Sequence, residues 1–173
     1  MLIEAVLEAW TTSRVTEVAV VVREDDVALR DVCRRWPVWV VCPAEPTADM
    51  KASVIVGLDF LRRHFRPLDS DRCFIAPADL PNLSHQIIDR LVASPAERSM
   101  ITVPMFGDRR GHPALLPWEL TAEIYRLPLD QGVNQVVDRH PRQTVSFPAD
   151  PAVDDVDTPQ EYFAALQSAR NRA

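Results

Sequence analysis

The chain has 173 residues, a formal net charge of −6 and a hydrophobic content of 47%. A chain of this length can bury roughly 70% of its unfolded surface in one core, so we expect one domain over residues 1–173. The acidic balance disfavours nucleic-acid binding, which needs a concentrated basic surface. With no apolar run near the ~20 residues that span a bilayer, and no basic leader, we expect no membrane contact and a cytoplasmic location.

Helices and strands alternate along most of the chain. An amphipathic helix begins at Leu2, and the valine-rich runs that follow are typical of strands buried on both faces of a parallel sheet. The predicted strands are residues 17–23, 38–42, 73–76 and 100–105, and the predicted helices are residues 25–36, 50–65 and one capped by Ser84. This order predicts a mostly parallel, doubly wound, three-layer α/β fold.

The pattern is looser after residue 106. We expect a basic turn at residues 107–111, a short strand at 113–117, helices at 118–127 and 132–139, and an edge strand at 142–147. Thr158, Pro159 and Glu161 form a well-capped helix start, which predicts a final helix.

Two acidic sites are candidates for metal binding, because ligands of open parallel sheets bind beyond the carboxyl ends of the strands. Asp79 follows the predicted strand 73–76 and could hold Mg²⁺, or it could be an ordinary turn residue. The acidic run at residues 154–157 could supply a second carboxylate, or it could simply stabilise the dipole of the helix that follows.

Two further segments could contact phosphate groups. Met50, Lys51 and Ser53 open a helix whose free N–H groups could meet an anion, or they could form an ordinary exposed helix start. Residues 107–113 place two arginines and a histidine between glycines, and arginine offers phosphate a planar fork of donors. The alternative for this segment is a solvated hairpin turn.

Four segments resemble motifs of the MobA-like NTP transferases, in the order found in that family. They are residues 50–58 (MKASVIVGL), residues 79–84 (DLPNLS), residues 103–114 (VPMFGDRRGHPA) and residues 155–162 (DVDTPQEY). The second is similar to the family's D-x-P-x-x-S strand end, the third to its G-H-P segment and the fourth to its closing D-I-D-T-P-E-D. The resemblance is strongest to the molybdopterin cytidylyltransferases.

The resemblance implies a sheet of the nucleotide-diphospho-sugar transferase type. It also implies transfer of CMP, or else GMP, from an NTP to molybdopterin or a similar phosphorylated acceptor, with Mg²⁺ as cofactor. By resemblance, Asp79 and Asp157 are the catalytic and metal-binding residues; Met50, Lys51 and Ser53 bind the nucleotide; and Arg110, Gly111 and His112 bind the acceptor.

The chain departs from the family at its start. The family's opening strand and phosphate-binding loop, L-A-A-G-x-S-x-R-M-G-x-x-K, have no counterpart, and the first glycine is Gly57. Loss of this central strand would leave two facing rows of unpaired backbone groups, unless the start lies upstream, the gap closes, or a homodimer or partner chain covers the edge. The alternative functions are an inactive relative that binds a nucleotide, cofactor or partner protein, and a sugar-phosphate nucleotidyltransferase.

Overall fold

The computed structural model describes residues 2–80, 82–95, 97 and 99–148. The helices are α1 (Leu2–Thr11), α2 (Val27–Cys33), α3 (Met50–Phe65), α4 (His85–Val92), α5 (Thr121–Ile124) and α6 (Asn134–Arg139). The strands are β1 (Ala19–Val21), β2 (Trp39–Val41), β3 (Arg72–Ile75), β4 (Ile101–Phe106), β5 (Arg109–Arg110), β6 (Ala114–Pro117) and β7 (Arg142–Phe147). The predicted α/β fold is confirmed.

Most predicted elements are present with shifted ends. Helix α3 matches its prediction at both ends: the side chain of Asp49 accepts a hydrogen bond from Ala52 N and caps its start, and Arg66, in the left-handed conformation, ends it. Ser84 caps α4 in the same way, through Ile87 N. The prediction of one long helix at residues 118–127 is wrong, because a 3₁₀ turn leads into α5, which ends at Ile124. The predicted final helix lies outside the described residues.

Within the described part of the chain, the strands form two separate sheets. Strands β1 and β2 make a parallel pair, and the larger sheet has the order β3-β6-β4, with β7 parallel to β4. Strand β6 is antiparallel to both β3 and β4, so β3, β4 and β7 share one direction. The sequence predicted β6 but not its reversed direction, and β5 folds back on the end of β4 where a turn was expected.

Helices cover both faces of the strands and create two apolar cores. One core lies on the side of α3, α5 and α6 and includes Cys73 of β3. The other lies on the side of α1, α2 and α4, where the rings of Trp10 and Phe74 meet edge to face at 5.2 Å. Successive side chains of β3 therefore serve opposite cores, as a strand in the middle layer requires.

A groove separates the two sheets. Strand β1 is the terminal strand of one sheet and β3 of the other, and a cavity of about 630 Å³ between them is lined from both strands and from α1 and α3.

Arg72 connects three strands of the larger sheet. Its Nη2 donates to Thr102 Oγ1 of β4 at 2.8 Å, to Met100 O at 3.1 Å and to Leu115 O of β6 at 3.5 Å. Thr102 is fully buried, and burial lowers the pKa of the Arg72 guanidinium from its ordinary value. The arginine therefore satisfies polar groups that water cannot reach.

We expect Arg72→Met to lower the free energy of unfolding by about 1–3 kcal/mol, because it leaves the buried Thr102 hydroxyl without this donor. Urea denaturation measures the change. The control is Arg34→Met, which removes an exposed pair with Asp31 at 3.7 Å and should cost less than about 1 kcal/mol. Equal losses in the two variants would contradict the structural role of Arg72.

Candidate active site

The candidate site lies at the edge of the larger sheet where β3, β4 and β7 end. Asp79 follows the end of β3 by four residues. Because Ile75 pairs with Ala114, the segment that precedes β6, including His112 and the buried Pro113, lies beside the end of β3. The pairing of β3 with β6 therefore brings two sequence-predicted features to one edge of the sheet.

Asp79 has an incompletely satisfied carboxylate. The side chain is half-buried, and its Oδ1 is inaccessible to solvent and accepts no hydrogen bond. A buried acceptor without a partner costs about 1–3 kcal/mol, so such groups in folded proteins call for an explanation. A bound cation would satisfy this oxygen, whereas a simple turn aspartate would use its side chain within the turn.

The described residues contain no cluster of three or more histidine, cysteine or acidic side chains that could hold a metal ion. Asp157, the second predicted ligand, lies outside the residues that the structure describes. A lone carboxylate fits Mg²⁺ better than Zn²⁺, because Mg²⁺ binds through one or two carboxylates together with substrate phosphates and water.

The start of α3 borders the groove. Met50, which is 49% exposed, and Ser53 both line the groove. The Ser53 hydroxyl is 2.7 Å from Thr47 Oγ1 and donates to Asp49 O at 3.3 Å. Asp49 already caps this helix start with its carboxylate, which disfavours a phosphate at the same N–H groups.

Lys51 has internal partners. The residue is 7% exposed, and its Nζ donates to Pro128 O at 2.6 Å and to Leu129 O at 3.3 Å. The ammonium group thus ties the loop after α5 to the start of α3. The sequence could not indicate these two acceptors, because they are backbone carbonyls distant in the chain.

The basic segment is ordered by an ion-pair network. Gly107 has a φ of +60°, which glycine adopts without strain, and it turns the chain from β4 into β5. Arg110 donates to Asp138 Oδ1, which also accepts from Arg142 at 2.6 Å. The hydrogen bond from Arg110 is the main cause that lowers the pKa of Asp138. Gly111 N donates to Pro104 O at 3.0 Å.

Asp138 is the participant that sequence reasoning missed. It lies on α6 and pairs with Arg142, which is four residues later but already belongs to β7, so the pair connects a helix to a strand. Its link to Arg110 depends on the placement of α6 beside β5 and has no signal in the sequence.

Comparison with known proteins matches most of the chain to one protein family. The family model described as "MobA-like NTP transferase domain" matches residues 1–145. No curated protein sequence shows a significant match. Among the described residues, no helix is both long and apolar enough to cross a membrane.

Several solved structures share the fold. A nucleotidyl transferase from Methanothermobacter thermautotroptrophicus has a TM-score of 0.81 at 18% identity, over 100% of this chain and 82% of that chain. Rv0371C from Mycobacterium tuberculosis H37Rv, solved in complex with manganese, has a TM-score of 0.74 at 23% identity, over 97% and 86%. Molybdopterin-guanine dinucleotide biosynthesis protein A from Archaeoglobus fulgidus has a TM-score of 0.61 at 16% identity, over 98% and 86%.

We expect Lys51→Met to lower the free energy of unfolding by about 1–3 kcal/mol, because the two carbonyls lose a charged donor in a buried position. Thermal denaturation without ligand measures the loss. Ser53→Ala is the matched control in the same helical turn, and it should cost less because Ser53 is only partly buried. If Lys51→Met were as stable as the wild type but no longer bound CTP, Lys51 would be a nucleotide ligand instead.

Proposed function

Because the chain belongs to the MobA-like NTP transferase domain family, a family of nucleotidyltransferases, we propose that it transfers a nucleoside monophosphate from an NTP to a phosphorylated acceptor and releases pyrophosphate. The transferred group is CMP in preference to GMP, and the acceptor is molybdopterin or a similar compound. The observation that supports this function best is the unpartnered, buried oxygen of Asp79 at the carboxyl edge of the sheet.

The reaction needs accurate positioning more than covalent participation of the protein. An oxygen of the acceptor phosphate attacks the α-phosphorus of the NTP, the bond from that phosphorus to the β-phosphate oxygen breaks, and pyrophosphate leaves. Asp79 and Asp157 are the residues that would hold Mg²⁺. When bound, Mg²⁺ supplies positive charge that stabilises the negative charge developing on the phosphates.

The two ends of the site have different tasks in this proposal. Met50 and Ser53 hold the base or the ribose, since the Asp49 carboxylate disfavours a phosphate at the start of α3. Arg110, Gly111 and His112 bind the acceptor. An acceptor phosphate would compete with Asp138 for Arg110, and Asp138 would keep its bond to Arg142 when Arg110 turns to the ligand.

One observation favours a second candidate function. The open groove between β1 and β3 leaves strand edges beside the site, which suits a relative that binds a nucleotide, cofactor or partner protein without catalysis. A sugar-phosphate nucleotidyltransferase is a third candidate and differs from the first only in its acceptor.

We expect Mg²⁺ with CTP to raise the melting temperature of the chain, because a ligand that binds the folded state alone stabilises it. At a free CTP concentration 100 times Kd the gain is about 2.7 kcal/mol, or roughly 5–10 °C for a chain of this size. Asp79→Asn should abolish the Mg²⁺-dependent part of the shift. Asp69→Asn, in the exposed turn before β3, should retain it.

Measurements of pyrophosphate release with different acceptors distinguish the three candidate functions. Pyrophosphate release from CTP that requires molybdopterin supports the first, and release that requires a sugar phosphate supports the third. A nucleotide-dependent shift without pyrophosphate release from any acceptor supports the non-catalytic relative. An undiminished shift in Asp79→Asn would remove Asp79 from the metal site.

A further inference from the structure

The turn from Pro128 to Gln131 is held by side chains of two helices. Gln131 N donates to Pro128 O at 3.1 Å and closes the turn. Lys51 Nζ of α3 donates to Pro128 O at 2.6 Å and to Leu129 O at 3.3 Å. From the other side, Arg139 Nη2 of α6 donates to Gln131 Oε1 at 2.6 Å. The backbone of this turn is therefore fixed from both neighbouring helices.

The turn lies at the carboxyl edge of the sheet, where ligands bind in open α/β sheets. The chain leaves β6 at Pro117 and enters β7 at Arg142, and these two residues pair with the first residues of β3 and β4. Both points are thus at the opposite, amino edge, and the turn is near the middle of the segment between them. Helix α3 ends close to the start of β3, so its own start, to which Lys51 ties the turn, lies towards the carboxyl edge.

Lys51 makes this contact at an electrostatic cost. It is the only lysine in the sequence, and it is the only buried charged residue in the part of the chain that the structure describes. Its two partners there are carbonyl groups rather than a carboxylate, and the dipole of α3 disfavours a cation in the first turn. Burial of a charge offsets part of what the two hydrogen bonds contribute. Departures of this kind from the usual rules occur at functional sites.

Both of the elements that Lys51 joins present an apolar side chain to solvent. Leu129 in the turn is 94% exposed, and Met50 at the start of α3 is 49% exposed. A leucine with so little contact adds almost nothing to the folded core. Its fixed backbone and its place at the carboxyl edge suit contact with a ligand instead.

We propose that Leu129 covers one flat face of the base of the nucleotide, and that Lys51 is the positioning residue that holds the turn for this contact. The faces of a base are apolar and its rim is polar, so aliphatic side chains over the faces match it. The inference rests on the proposed function, because it concerns the nucleotide end of the same site. It adds a specificity-determining contact and gives the buried ammonium group of Lys51 a task.

The first experiment measures the Kd of CTP in the presence of Mg²⁺ by isothermal titration calorimetry. We expect Leu129→Ser in the full chain to bind CTP about three- to tenfold more weakly, the factor for roughly half of a leucine side chain that the ligand no longer buries. Its melting temperature without ligand should equal that of the wild type. The matched control is Leu68→Ser, a leucine 68% exposed in the loop before β3 at the opposite edge, which should leave Kd unchanged.

A double-mutant cycle tests the role of Lys51. Lys51→Met should weaken CTP binding by a similar factor, and adding Leu129→Ser to it should have little further effect, because the turn is no longer held. Additive losses would contradict the positioning role, since Lys51 would then act on the nucleotide independently of the turn. Melting curves establish that the variants are folded at the titration temperature, and Leu129→Ser alone tests the contact if Lys51→Met does not fold.

Three results would overturn the inference. A wild-type Kd in Leu129→Ser would remove the contact with the base, and a lower melting temperature of this variant without ligand would assign the side chain to packing within the protein. An effect confined to the KM of molybdopterin in pyrophosphate release would place the turn at the acceptor end of the site. A wild-type chain that binds no CTP would instead overturn the proposed function, and the inference with it, before any variant is compared.

Discussion

The placement of the candidate site depends on the pairing of β3 with β6, because backbone N–H and C=O groups in a buried strand need hydrogen-bond partners. One of its edges pairs with β6, and the other faces the groove. Its side chains alternate between the two apolar cores, and Arg72 at its start reaches across β6 to β4. The placement of Asp79 follows from the position at which this strand ends.

The candidate site is largely preorganised by contacts within the protein. Lys51 and Arg110, two cations that the sequence suggests for phosphate binding, already hold a loop carbonyl and a carboxylate. The unsatisfied oxygen of Asp79 differs from both, since nothing in the described structure meets it. Among these charged groups, a bound ligand would therefore stabilise the Asp79 carboxylate most, because it would supply a missing partner. Arg110 would have to exchange its present partner, Asp138, for the ligand.

The sequence predicted those features that depend on local chemistry. Asp49 and Ser84 are capping residues of the usual kind, and the helices that they cap begin where expected. The reversed direction of β6 depends on pairing with two distant strands, which periodicity does not encode. For the same reason the sequence did not predict the carbonyl partners of Lys51 or the ion pair of Arg110 with Asp138. Both contacts form between elements that are far apart in the chain.

The groove also affects how the molecule responds to stress. Backbone hydrogen bonds make a sheet unfold as one unit, but among the described residues the pair β1 and β2 is coupled to the larger sheet through apolar side chains, which include those of α1, α4 and β3. Side-chain coupling is weaker than backbone pairing, so we expect the smaller sheet and α2 to open at a lower free energy than the rest of the described structure.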